Sequence, residues 1–328
     1  MLFPFRTTDF GRVQNTTTHA LAMLNSLEQY RVRPGYDIFV VPNFAQDVLG
    51  FDPTLVQQQL EAHYPVRNAG AAIVPGVVQW VDGDNQALMY RGNVLKRGKI
   101  WLQRPSTAEG YLRYGYTGWQ WKVLPATAGV EECQEVKPIA DAYDKWVTDL
   151  GFSEANHYII TKYQDGQHNI GFHSDKAKDI ALNSLITVVK TGSHGRPFEL
   201  CFPGEENTPF FSQALAPGTA VIMTLEANLQ TKHGVPVVTE AGPSGSIVFR
   251  TISTLISPEQ AAKENRKRVR DARKARYAEE AEATRKAEEA RKAEEARKAE
   301  EAEAAAKKFC MDIVAQSGFG HLLPPGGL

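Results

Sequence analysis

The chain has 328 residues, of which 42% are hydrophobic and 23% are charged, which is the composition of an ordinary globular protein. Its formal net charge of -1 excludes a chain-wide basic field for nucleic acid, so any such binding needs a local patch or a tail. No apolar run approaches the roughly 18 residues of a membrane span, and the N-terminus lacks the apolar core of a secretory signal. We therefore expect no membrane association and an intracellular location, in the cytoplasm or the nucleus.

Three stretches of different composition precede the C-terminal end. Residues 1–85 form an N-terminal flanking segment, with an extended stretch from Tyr36 and a helix near 53–64. Residues 86–256 hold short apolar runs punctuated by Gly and Pro, a pattern typical of a β-sandwich or barrel. These runs begin at Lys99, Tyr158, Ser184, Pro197, Thr219 and Ser246. One amphipathic helix over about 136–150 interrupts them, so the sequence predicts a mainly β (α+β) fold.

The third stretch, 257–308, is predicted to be one long solvated helix. Ser257-Pro-Glu-Gln is a capping sequence, and the repeat RKAEEA then recurs three times with alanine as its sole apolar residue. Without an a/d seam a coiled coil is not specified. The run 263–276 has eight basic residues against two acidic ones, so the helix is a candidate to bind phosphates or a protein partner. Residues 309–328 form a C-terminal tail.

Two histidines and one aspartate have the types and spacing of a metal site. His173 and Asp175 are two positions apart, so on an extended strand their side chains leave from the same face. His233 follows the apolar run 219–225, and a strand there would bring it across to the first two. Three protein ligands leave about three octahedral positions open, which suits non-haem Fe(II) and oxygen chemistry better than a closed structural zinc site.

Several motifs around these residues resemble one family. Tyr163-Gln-Asp-Gly-Gln-His-Asn-Ile-Gly-Phe-His-Ser-Asp matches the Y-x-x-G-x-x-x-I-x-x-H-x-D signature of the AlkB-like family of Fe(II)- and 2-oxoglutarate-dependent dioxygenases. Arg250 follows His233 by 17 positions, as that family's first cosubstrate arginine follows its distal histidine. Upstream, 95–97 and 114–118 look like the family's nucleotide-recognition lid. The resemblance spans roughly 90–256.

The resemblance implies a double-stranded β-helix (jelly roll) core over 86–256, flanked by helices, with Fe(II) held by His173, Asp175 and His233. It implies that Arg250 pairs with the distal carboxylate of 2-oxoglutarate. It further implies that Tyr163, Thr161 and Thr254 belong to the same cosubstrate site, and that Arg97, Tyr114 and Tyr116 contact the substrate. With O2 as the other cosubstrate, the reaction expected is oxidative demethylation of an N-alkylated base in DNA or RNA, with release of formaldehyde.

Two departures keep other functions open. The family's second arginine is replaced by Ile256, and the acidic residue that helps to read a damaged base is replaced by Ala177. One alternative is therefore the same oxygenase chemistry on a protein or small-molecule substrate, and another is a catalytically idle module that binds nucleic acid or a partner. His157, His168 and His194 are assigned no role.

Overall fold

The computed structural model describes residues 25–66, 76–82, 89–90, 93–94, 97–105, 109–112 and 128–316. The chain divides into two compact units, Met1–Arg266 and Lys267–Leu328. The first unit contains the sheets.

The strands of the described residues are β1 (Ile38–Val41), β2 (Val81–Asp82), β3 (Met89–Tyr90), β4 (Asn93–Val94), β5 (Gly98–Gln103), β6 (Tyr111–Leu112), β7 (Ala128–Gly129), β8 (His157–Tyr163), β9 (Ile170–His173), β10 (Leu185–Gly192), β11 (Arg196–Cys201), β12 (Phe211–Leu215), β13 (Ala220–Thr224), β14 (Lys232–Val235), β15 (Ser244–Arg250) and β16 (Leu255–Ile256). The α-helices are α1 (Phe44–Asp47), α2 (Pro53–His63), α3 (Lys137–Asp149), α4 (Leu225–Gln230) and α5 (Pro258–Gln316). The predicted helices near 53–64 and 136–150 are confirmed as α2 and α3. The six predicted apolar runs are confirmed as β5, β8, β10, β11, β13 and β15.

Two sheets dominate the first unit. The large sheet has eight strands in the order β1-β13-β10-β15-β8-β5-β2, with β7 paired to β5, and the small sheet has the order β12-β11-β14-β9. From β8 to β15 the chain alternates between the two sheets, except that β11 and β12 are consecutive strands of the small sheet. Strands β8, β10, β13 and β15 belong to the large sheet, and β9, β11, β12 and β14 belong to the small one. The mainly β character with a C-terminal helix is thus confirmed.

The segment before residue 86 contributes a strand to the large sheet. β1 pairs antiparallel with β13, with Ile38 opposite Met223 and Val41 opposite Ala220. β1 therefore forms one edge of the large sheet.

The large sheet buries apolar side chains on both of its faces. Along β10, Leu185 and Val189 belong to a core cluster that includes residues of α2 and α3. The alternate residues Ile186 and Val188 belong to a second cluster, which includes Phe198 and other residues of the small sheet. Because successive strand residues point to opposite faces, the first cluster packs the sheet against helices and the second joins the two sheets. We call the second face the inner face.

Helix α5 begins as the capping sequence predicts and continues beyond 308 to Gln316. Ser257 Oγ accepts a hydrogen bond from Gln260 N, and Gln260 Oε1 accepts one from Ser257 N, both at 3.2 Å. In the second unit, Glu294 Oε1 forms exposed ion pairs with Arg297 Nη2 at 2.8 Å and with Lys298 Nζ at 3.4 Å. Within the described ranges, no helix combines the length and apolar character needed to cross a bilayer.

We expect Phe249→Ala to destabilise the first unit by about 3–5 kcal/mol. Phe249 is fully buried on β15 and stacks on Tyr143 of α3 with ring centroids 4.3 Å apart, so truncation opens a cavity between the sheet and the helix. Urea unfolding measures the change. Leu182→Ala is the control, because Leu182 is 94% exposed and its loss should change stability by no more than about 0.5 kcal/mol.

Candidate metal centre

Neighbouring strands of the small sheet bring the two predicted histidines together. β14 pairs antiparallel with β9, and His233 is directly opposite His173 in the register. Their ring centroids are 4.4 Å apart. His173, Asp175 and His233 each present one ligand atom, and these three atoms lie within 4.8 Å of one another. Donors that each sit about 2.1 Å from one ion are at most about 4.2 Å apart, so small side-chain shifts close the set on an ion.

Asp175 is placed by a side-chain clamp. The strand predicted to carry both His173 and Asp175 ends at His173, so Asp175 lies just beyond it. The Asn228 side chain accepts a hydrogen bond from Asp175 N at 2.7 Å and donates one to Asp175 O at 2.9 Å. Asn228 is fully buried on α4. The helix between β13 and β14 therefore fixes the backbone of this carboxylate, a role that the sequence motif does not reveal.

Both imidazoles are held neutral. Burial lowers the pKa of His173 to about 3, with the neighbouring His233 adding to the shift, and burial also lowers the pKa of His233. His173 Nδ1 lies 2.9 Å from the Gly171 carbonyl, which requires the proton on Nδ1 and leaves Nε2 with a lone pair. The ring of Phe198 stacks on His233 with centroids 5.8 Å apart and forms a wall of the site. Neutral imidazoles are the form that binds metals.

An arginine of the large sheet pairs with the carboxylate. Arg250 Nη1 lies 2.8 Å from Asp175 Oδ2, and the Arg250 side chain is 1% exposed. Burial by itself raises the pKa of Asp175, but the charge of Arg250 and its hydrogen bond outweigh burial and hold that pKa well below its usual range. The carboxylate is thus ionised, as a metal ligand must be.

His157 positions that arginine, which corrects the sequence analysis that assigned it no role. Arg250 Nε donates a hydrogen bond to His157 Nδ1 at 3.1 Å, and the two residues face each other across β8 and β15. Burial, followed by the charge of Arg250, lowers the pKa of His157 well below its usual value. The imidazole is therefore a neutral acceptor for the guanidinium.

The other predicted site residues fall into separate groups. Thr161 and Tyr163 are buried on β8, at alternate positions from His157, and so lie on the inner face with it. Arg97 is buried and donates to the Asn169 carbonyl at 2.6 Å, just before β9.

Thr254 lies between β15 and β16 and takes part in none of the contacts that join the described site residues. Tyr114 and Tyr116 lie outside the described residues. Of the two departures, Ile256 is a buried residue of β16, and Ala177 begins the short 3-10 turn Ala177–Asp179.

His173, Asp175 and His233 could hold a metal ion, since they offer two neutral nitrogens and one ionised oxygen in a partly buried cluster. Neither the comparison with protein-family models nor the comparison with curated proteins gave a match. The case for a function therefore rests on this geometry and on the motifs.

We expect His173→Ala and His233→Ala each to abolish tight binding of a divalent ion, because two remaining donors do not make a facial site. Titration with Mn(II) or Co(II) in a calorimeter measures the affinity. His194→Ala is the matched control, since His194 is exposed and its ring contacts Ser193. Equal binding by all three variants would place the ion elsewhere.

Asn228→Ala is expected to weaken metal affinity about 10- to 100-fold, because Asp175 loses both hydrogen bonds that orient its backbone. The same titration detects the loss. Gln230→Ala, on the same helix but exposed and bonded to Glu226 alone, should bind like the unaltered protein. An unchanged affinity in Asn228→Ala would show that the clamp does not govern the ligand.

Proposed function

We propose that this chain is an Fe(II)- and 2-oxoglutarate-dependent dioxygenase that oxidatively demethylates N-alkylated bases in DNA or RNA. The observation that carries the proposal is the convergence of His173 on β9, Asp175 just beyond β9, and His233 on the paired strand β14. Two imidazoles and one carboxylate are the donor set of non-haem Fe(II) oxygenases, in which open positions remain for the cosubstrates.

The strand order supports a double-stranded β-helix for the core. The eight strands from β8 to β15 divide equally between the two sheets, in the orders β13-β10-β15-β8 and β12-β11-β14-β9. A jelly roll likewise consists of eight strands in two sheets connected as Greek keys. In this fold the candidate metal centre lies between the sheets, where both can supply side chains.

Fe(II) bound here with 2-oxoglutarate would supply oxygen activation, in which the cosubstrate is decarboxylated to succinate and a C–H bond of the substrate is hydroxylated. The protein's part is to hold the donors in the correct charge state. Burial keeps the two imidazoles neutral, and Arg250 keeps Asp175 ionised. Asn228 fixes the position of the carboxylate. An N-hydroxymethyl product would release formaldehyde without further help from the protein.

The substrate class rests on the sequence. Tyr114 and Tyr116 match the family's lid, and a base stacked on such rings gains about 1–3 kcal/mol. Buried Arg97 is held beside the site by the Asn169 carbonyl. The basic run 263–276 is a candidate contact for phosphates. Ala177 and Ile256, which replace the family's acidic residue and second arginine, permit the alternative of a protein or small-molecule substrate.

Under anaerobic conditions, Fe(II) with 2-oxoglutarate is expected to give a visible charge-transfer band with the protein. In air, methylated oligonucleotides should stimulate the formation of succinate and formaldehyde. Asp175→Ala should lose both signals, because the ion loses its only anionic protein ligand. The substrate screen covers methylated single- and double-stranded DNA, RNA, peptides and small amines.

The outcomes separate the candidates. Turnover stimulated by peptides or amines and not by any oligonucleotide would replace the nucleic-acid substrate while keeping the chemistry. A protein that binds neither the metal nor 2-oxoglutarate would be the idle binding module, and the proposal of an oxygenase would fail.

A further inference from the structure

We propose that Lys190, Arg196, Tyr163 and Ser244 form a buried carboxylate pocket between the two sheets, and that this pocket holds the distal carboxylate of 2-oxoglutarate. The inference rests on the proposed function for the identity of the ligand. It departs from the role that the resemblance gave to Arg250.

Lys190 is a buried cation of the large sheet. It is 1% exposed and lies on β10, two positions from Val188 and on the same inner face. In the described part of the chain, no carboxylate lies within ion-pair distance of its ammonium group, and no hydrogen-bond acceptor satisfies it. Burial, and then the charge of Arg196, lower the pKa of Lys190 to about 8. Buried charges are normally paired, so this position calls for an anion.

Arg196 provides a second, firmly held cation. Its guanidinium donates to the carbonyls of Asp165, His168 and Pro236 at 2.5, 2.7 and 2.9 Å. Its Nε is buried, and no group within the described ranges accepts a hydrogen bond from it. Arg196 is itself fully buried at the start of β11, in the small sheet. It thus brings positive charge from the opposite sheet, with one donor unsatisfied.

Tyr163 lies close to both cations. The Lys190 ammonium is 5.6 Å, and the Arg196 guanidinium carbon 5.5 Å, from the centroid of its ring. The Tyr163 hydroxyl has no hydrogen-bond partner among the described residues. Burial raises the pKa of Tyr163, although Arg97 and Arg196 oppose the shift, so the phenol keeps its proton. It is available to donate to an oxygen anion.

Ser244 adds an unsatisfied hydroxyl at the same place. Ser244 is opposite Tyr163 in the β8–β15 register, and its buried Oγ has no hydrogen-bond partner among the residues that the structure describes. Ser246 is opposite both Thr161 on β8 and Lys190 on β10, which makes a polar row across the inner face. A buried donor that makes no hydrogen bond costs about 1–3 kcal/mol, so the pocket is suited to a polar occupant.

The pocket and the metal centre lie along one strand. The Phe198 ring stacks on His233, and Arg196 is two positions earlier on β11, on the same face. Same-face neighbours on a strand are about 6.6 Å apart, so the pocket lies roughly one such step beyond the wall of the site. A five-carbon dicarboxylate with its keto-acid end at the candidate metal centre would extend in this direction. Arg250 is engaged by Asp175 and His157 at that centre.

The test compares two ligands and two variants. 2-Oxopentanoate has the carbon chain and keto-acid end of 2-oxoglutarate without the distal carboxylate. Binding to the Mn(II)-loaded protein is measured anaerobically by calorimetry for the unaltered chain, Lys190→Met and Lys162→Met. Lys162 is the matched control, since it is also buried but lies on the opposite face of β8, over Trp80.

We expect the unaltered protein to bind 2-oxoglutarate more tightly than 2-oxopentanoate. Lys190→Met should weaken the binding of 2-oxoglutarate about 10- to 100-fold and leave the affinity for 2-oxopentanoate unchanged. Lys162→Met should keep the preference. Metal-free Lys190→Met should be at least as stable to heat as the unaltered protein, because the change removes an unpaired buried charge. If the role of Lys190 were purely structural, Lys190→Met would lose stability, and its effect would not differ between 2-oxoglutarate and 2-oxopentanoate.

The thermal stability of the metal-free protein, measured with and without succinate, separates the carboxylate pocket from the oxygenase function on which it rests. If Lys190→Met still prefers 2-oxoglutarate, the pocket is overturned and the oxygenase proposal stands. If no 2-oxo acid binds but succinate stabilises the unaltered protein and not Lys190→Met, the carboxylate pocket stands and the oxygenase proposal fails. If no 2-oxo acid binds and succinate does not stabilise the unaltered protein, the pocket and the oxygenase proposal are both overturned.

Discussion

The ion pair between Arg250 and Asp175 connects the two sheets at the candidate metal centre. Arg250 ends β15 in the large sheet, and Asp175 follows β9 of the small sheet. Burying both charges has a desolvation penalty that only good geometry and further hydrogen bonds offset. The 2.8 Å contact, the His157 acceptor and the Asn228 clamp supply these. Removing one partner would leave a buried charge, so the charge state of the metal ligand and the packing of the sheets depend on the same contact.

Positive charge is in excess on the inner face. Lys99 is buried near Arg97, Arg250 and Asp175. Its burial, followed by the charges of Arg97 and Arg250, lowers the pKa of Lys99 well below its usual value. Lys190 and Arg196 add charge further along. Such an interior is destabilising while it lacks an anion and becomes favourable when one binds. A protein that keeps these groups gives up stability in exchange for a binding site.

Local patterns predicted most of the framework. The alternation of apolar residues and the Gly and Pro breaks predicted the core strands, and the spacing of His173 and Asp175, with His233 after a strand, predicted the donor set. Contacts between distant strands could not be predicted in this way. His157 and Arg250 are 93 positions apart and meet because of the β8–β15 register. Asn228 and Lys190 likewise have no distinguishing pattern of their own, because an isolated Asn or a strand Lys gives no sign of which element it will face.

The edge position of β1 has a consequence for any shortened version of the chain. A fragment that starts at residue 86 would retain every metal donor but would lose the strand that pairs with β13. The backbone amides and carbonyls along β13 would then form an open row, which is a template for pairing with a second molecule. Insolubility of such a fragment would reflect the unpaired edge of β13 and would say nothing about the chemistry of the metal donors.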